Sequence, residues 1–171
     1  MEILTGIIVG IGSSFTASIG FLWLYISKKR PKILISPHIS RTTFSGKQYF
    51  QFKFVNKTRS PIYDIKVNLS SATPTGSINN RGIMYKYLEI KHPNLNYVPK
   101  EDSKDDYNLH ARRLWSSDDF DEILEDENVE LQLEIIARHD VSGLTSILSK
   151  NFTKNSIKNG EFPSGNELLI K

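Results

Sequence analysis

The chain has 171 residues, enough for one membrane segment and one compact domain but short for two domains. It carries 22 Lys and Arg against 19 Asp and Glu, a formal net charge of +3 that hides a strong internal asymmetry. It contains no cysteine, which excludes disulfides and every CxxC metal or redox motif.

From Ile3 to Ile26 the chain runs 24 residues without a charge. As a helix this stretch reaches about 36 Å, enough to cross a ~30 Å hydrocarbon core with some tilt. A cleaved signal peptide would need a basic start, a shorter apolar core and a small-residue cleavage site. Here Glu2 is the only charged side chain before the run, which ends in bulky Leu22-Trp23-Leu24-Tyr25. A core helix would be shorter and amphipathic. The reading is a retained transmembrane anchor over residues 1–27.

Lys28, Lys29, Arg30 and Lys32 follow the run at once, and no Lys or Arg precedes it. Positive charge is retained on the cytoplasmic side, so the N-terminus is expected outside and the remainder inside, at a plasma (inner) membrane. Trp23 and Tyr25 fall where an interfacial aromatic belt would lie, and Pro31 stops the helix. Three sequons (Asn56-Lys57-Thr58, Asn68-Leu69-Ser70, Asn151-Phe152-Thr153) point the other way, but a cytoplasmic or bacterial chain would not use them. Residues 28–32 form a basic juxtamembrane segment.

Within the run, Gly6, Gly10, Ser14 and Ser18 recur every four residues, and Gly12, Thr16 and Gly20 form a second row. Such rows let helix backbones approach closely and predict homo-oligomerisation through the membrane. Ser13, Ser14 and Ser18 are candidates for a polar lining if many copies assemble.

Residues 33–171 alternate with period two. Residues 32–36 open a first strand. Phe50, Phe52 and Phe54 share one face, with Gln51 and Lys53 on the other. A turn at 56–61 leads to a strand over 62–69, with Ile65, Val67 and Leu69 on one face. Further strands are expected at 82–90, 108–114, 129–137, 144–152 and 167–170. A short helix is expected over 116–124, capped by Ser116 or Ser117. Seven or eight strands predict a mainly β fold: an antiparallel β-sandwich, or alternatively a small β-barrel.

The segment Phe52-Lys53-Phe54-Val55-Asn56-Lys57-Thr58, a Pro turn, then Ile62-Tyr63-Asp64-Ile65-Lys66-Val67 resembles the strand–Asn-turn–strand unit of immunoglobulin-like bacterial sandwich modules. The resemblance covers about 16 residues and implies fold only; the Cys–Trp–Cys framework of true immunoglobulin domains is absent.

No HExxH, Walker A, GxSxG or GxGxxG motif occurs, and His38, His92, His110 and His139 are scattered. His139 and Asp140 are adjacent at a strand end, where neighbours face opposite ways. The acids of 118–127 and Asp102, Asp105 and Asp106 lack the oxygen spacing and central glycine of a calcium loop. No enzyme activity, metal or cofactor is expected.

Residues 28–66 hold ten basic side chains and one acid, while residues 101–134 hold thirteen acids and three bases. The basic block begins at the membrane, which predicts lipid-headgroup contact. Arg41, Lys47, Tyr49 and Arg59 are the candidates for contacting a nucleotide or nucleic acid, a less favoured partner.

The reading of function is a membrane-anchored cytoplasmic β-domain that binds a protein partner as an accessory or scaffolding subunit. The alternative is a membrane effector or sensor. Joining membrane helices to a compact β-domain resembles bacterial anti-phage effectors, some of which respond to cyclic nucleotides. Those effectors usually carry two helices, whereas this chain has one.

Overall fold

A computed structural model of the chain describes residues 2–77, 80–102 and 104–171. Helix α1 (Glu2–Lys29) is 28 residues long and ends one residue before Arg30 and two before the buried Pro31. It therefore continues two residues past the expected boundary, into the basic segment. From Ile3 to Leu24 its side chains are exposed, and it meets the β-domain only through its last turns. Residues Ile3–Lys29 are long and apolar enough to cross a membrane.

Three hydroxyls within this helix bond to carbonyls of their own helix. Ser13 donates to the Gly10 carbonyl (3.0 Å), Thr16 to Gly12 (2.9 Å) and Ser18 to Ser14 (2.8 Å). This back-bonding removes the cost of unpaired polar groups in hydrocarbon. It also occupies the Ser13 and Ser18 donors of the serine-lined pore considered above. The glycine rows stay open: a Cβ added at Gly6, Gly10, Gly12 or Gly20 would meet nothing within 4 Å.

The rest of the chain is mainly β. One sheet contains β1 (Ile33–Ile35), β2 (Ile39–Phe44), β3 (Lys47–Asn56), β7 (Ala111–Ser116) and β10 (Ile157–Asn159). Strands β1 and β2 run along one edge of β3 and β7 along the other. Strand β10 joins β2 in parallel, so the sheet is mixed. The second sheet has the order β5 (Asn80–Tyr87), β4 (Ile62–Ser77), β8 (Glu130–His139), β9 (Thr145–Phe152), with β6 (Asn94–Val98) on the first residues of β4.

The alternation of the sequence builds the core between the sheets. Phe50, Phe52 and Phe54 of β3 share one cluster with Ile65, Val67 and Leu69 of β4 and with Leu131, Leu133 and Ile135 of β8. Phe120 and Leu124 join from helix α2 (Phe120–Ile123) and its C-cap, Phe120 lying 4.6 Å from Phe50 between ring centres. Two sheets over one core is the arrangement of a β-sandwich or barrel-like fold.

Several expectations need correction. Alternation alone gives seven or eight strands, and the described residues hold ten. Helix α2 is capped by Asp119, whose carboxylate accepts from Asp121 N and Glu122 N, rather than by Ser116 or Ser117. Ser116 is still in β7.

The segment 167–170 is no strand. It belongs to a C-terminal strap over the outer face of the first sheet, where its carbonyls accept from side chains. Glu167 O accepts from Lys53 Nζ at 2.7 Å, and Leu168 O from Ser36 Oγ at 2.9 Å. The strap covers Lys53, and both Gln51 and Lys53 are buried on the face that the alternation assigns to solvent.

Candidate functional site

The last turn of α1 meets the β3–β4 turn and the end of β8, and the three enclose a cleft of about 420 Å³. Lys28, Lys29, Arg30 and Lys32 line one side; Lys57, Thr58, Arg59, Ser60 and His139 line the other. Backbone hydrogen bonding fixes this junction. Asn56, fully buried, shapes the turn: Oδ1 accepts from Thr58 N (2.9 Å), and Nδ2 donates to the carbonyls of Ser60 (3.3 Å) and Pro99 (2.8 Å). Thr58 Oγ1 accepts from Lys32 N at 2.8 Å, and Lys57 N donates to Lys32 O at 2.7 Å. Ser142, in the β8–β9 turn, donates from Oγ to Lys29 O at 3.0 Å.

Six cations thus surround one concavity. Lys57 pairs with Glu101 at 2.9 Å; among the described residues no carboxylate pairs with the other five. The hydrogen bond from Lys57, then that from Asn166, holds the Glu101 carboxyl below its ordinary range. The negative end of the α1 dipole lies here as well and favours Lys28 and Lys29.

His139 is buried at the cleft wall, its Nδ1 accepting from Ser142 N at 3.3 Å. Asp140 Oδ1 lies 3.4 Å from the same nitrogen. The two side chains meet, against the expectation for strand neighbours, because the chain already turns at Asp140. Among the described residues no three His, Asp or Glu side chains cluster as metal ligands would.

The four residues read as nucleotide contacts do not form one site. Arg41 pairs with Asp121 at 2.5 Å. Tyr49 packs edge-on against Trp115, with Lys91 Nζ 4.9 Å from its ring centre. Lys47 opens β3, and Arg59 lies beyond its far end, roughly 30 Å away at strand rise. Only Arg59 belongs to the cleft. The sequence places Lys57 in the basic block without a role and gives His139, at a strand end, no ligand. The signal for both was their position at strand ends.

A second surface lies on the other sheet. Strand β4 pairs with β8 as far as Ala72, and beyond it residues 73–77 pair only with β5. The two strands continue as a ribbon, and Ile83, Met84, Tyr85 and Tyr87 are all exposed. Tyr85 and Tyr87 border a shallow groove of about 170 Å³ with Asn68, Ser70, Gln132 and Glu134. The polar members are braced: Asn68 donates to Glu134 (3.1 Å) and Gln132 to Ser149 (3.0 Å). The ribbon tip is roughly 50 Å along β4 from the cleft end of the strand.

No protein-family model matches the chain, and no curated protein does. Among solved structures, the sporulation control protein Spo0M from Bacillus subtilis is similar, with 10% sequence identity and a TM-score of 0.43. The likeness covers 75% of this chain and 49% of that one, so this chain spans about half the length of that structure.

Proposed function

We propose that the chain is a single-pass membrane protein, N-terminus outside, whose cytoplasmic β-sandwich binds a protein partner as an accessory or scaffolding subunit. The carrying observation is the β4–β5 ribbon, with Ile83, Met84, Tyr85 and Tyr87 exposed beside a groove of Asn, Ser and Gln. A protruding two-stranded ribbon is marginal alone and gains most from a partner that covers it. Tyrosine beside Ser and Asn supplies large contact area at low entropic cost together with adaptable hydrogen bonds, the composition of protein-binding surfaces. The exposed apolar α1, with Lys and Arg only in its last turn and just beyond, supports the anchor and its orientation.

The test is affinity capture of the detergent-solubilised full chain, compared with Tyr85→Ala/Tyr87→Ala. The expected result is a stoichiometric protein retained by the parent and lost from the variant. An identical set of captured proteins for both sinks this reading. A C-terminal reporter active only outside the cytoplasm would overturn the orientation.

The open glycine rows favour a second reading, in which helices assemble and perturb the membrane as an effector would. Induced expression should then collapse the membrane potential, and Gly10→Leu with Gly12→Leu should prevent it. Unchanged growth on induction argues for the accessory subunit instead.

A further inference from the structure

We infer that the basic cleft at the foot of α1 is a built binding site for a phosphate-bearing anion, supplied by the headgroup of an anionic lipid. The lipid source rests on α1 being the membrane anchor; the phosphate site itself does not.

A flexible polybasic tail attracts an anionic surface through summed charge and has no shape. This cleft differs in three ways. Its cations come from segments far apart in sequence: Lys29 from the last turn of α1 and Lys32 just after it, Lys57 and Arg59 from the β3–β4 turn. Their backbones are locked together by the bonds of Thr58 to Lys32 and of Ser142 to Lys29, so little order remains to be gained on binding. An uncharged donor is present too, since the Ser60 hydroxyl has no hydrogen-bond partner among the described residues, and the His139 ring lines the wall.

Charge and position agree with this ligand. Among the described residues Glu101 is the only carboxylate paired to a cleft cation, leaving five cations for an anion. The negative helix end opposes an anion with about half a charge, which five full charges outweigh. Trp23 and Tyr25 stand one to two turns before Lys29, so aromatic rings at the interface bring the cleft to the level of the lipid phosphates. Arg59 offers a planar fork suited to phosphate oxygens and the lysines offer point charges.

The full chain in neutral-detergent micelles is titrated, at fixed ionic strength, with phosphatidylglycerol, phosphatidylcholine and inorganic phosphate, following the Ser60 amide and His139 ring resonances. Phosphatidylglycerol should shift them saturably, and phosphatidylcholine should bind far more weakly. Lys32→Gln with Arg59→Gln, both exposed, should weaken binding on the order of 30-fold. Lys86→Gln with Lys158→Gln removes the same charge outside the cleft and should leave affinity within about twofold. Saturation by inorganic phosphate as tight as by lipid keeps the site and assigns it a soluble phosphate ester. Equal losses in the two double variants, equal binding of phosphatidylcholine, or no saturation overturns the site. Carbonate extraction of the same chain reads membrane insertion separately, so a failed site is distinguished from a failed anchor.

Discussion

Ser142 Oγ donates to the carbonyl of Lys29 at 3.0 Å, across 113 positions of sequence. The acceptor belongs to the last turn of α1, where helical carbonyls have no partner of their own. The bond therefore does two things at once. It satisfies an orphan group at the helix end and fixes the helix to the β8–β9 turn. Thr58 completes the clamp from the other side through Lys32 N at 2.8 Å.

Thr58→Ala with Ser142→Ala should loosen this joint without unfolding the β-domain. Thr58 is buried, and its loss strands the Lys32 amide at a cost of about 1–3 kcal/mol. Spin labels placed at Leu22 and Glu134 should give a broader distance distribution in the double variant than in the parent. Equal widths would mean that the helix is held by other contacts.

Lys53 makes a prediction with a defined sign. Its Nζ donates to the carbonyls of Pro163 (2.5 Å) and Glu167 (2.7 Å) beneath the C-terminal strap. Burial, then repulsion from Arg113, lowers its pKa from 10.5 to about 8, with Glu167 partly opposing. Between those values the unfolded chain holds a proton that the folded chain has released. Stability contributed by this group therefore rises with pH from about 8 to 10.5, opposite to a lysine that gains a carboxylate partner. The neutral amine keeps two N–H donors, enough for both carbonyls. In urea denaturation at pH 7.5 and 9.5, the parent should gain stability relative to Lys53→Met. Parallel pH profiles would show that Lys53 titrates normally.

Alternation placed β3, β4 and β8 and their inward residues because each strand has one face against the core. It missed β2, where Ser40-Arg41-Thr42-Thr43 carries no apolar period, the short β6, and β10, whose three residues pair in parallel with a distant strand. A binary pattern also assigns the buried Gln51 and Lys53 to solvent, since it cannot register that a later segment will cover Lys53. The long apolar helix was legible because its signal is local: length, apolarity and flanking charge. The cleft was legible only as scattered basic residues. What makes it a site is tertiary, the convergence of Lys32, Thr58 and Ser142 on one joint.

Phe120 tests the core directly. It is fully buried and its ring centre lies 4.6 Å from Phe50 and 5.7 Å from Phe52. Its helix has only four residues, so packing and the Asp119 cap rather than helix propensity hold it in place. Phe120→Ala should cost about 3–5 kcal/mol and Asp119→Ala about 1 kcal/mol in chemical denaturation. A reversed order would mean that α2 docks through its cap and not its aromatic ring.

Gly160 controls the strap over Lys53. It follows β10 with φ +125°, a conformation that side chains disfavour, and a Cβ there would press on Lys171 O and Ile170 Cγ2. The same residue accepts from Ser40 Oγ and donates from its amide to Arg41 O at 3.2 Å. One step on, Glu161 and Lys171 exchange backbone hydrogen bonds at 3.2 and 3.1 Å, closing the strap into a loop. Gly160→Ala should therefore displace the loop closure as well as strain the backbone, at a cost of roughly 1–3 kcal/mol. Gly143→Ala is the matched control: its φ is also positive, at 66°, but a Cβ there meets nothing within 4 Å. Both variants keep the core between the sheets, so both should stay folded. Only Gly160→Ala should uncover Lys53, and the readout is the rate at which a water-soluble acetylating reagent modifies its amine near neutral pH. Acceleration in Gly160→Ala alone identifies the loop closure as what shields Lys53. Equal rates in parent and both variants would show that Lys53 is shielded by the sheet itself.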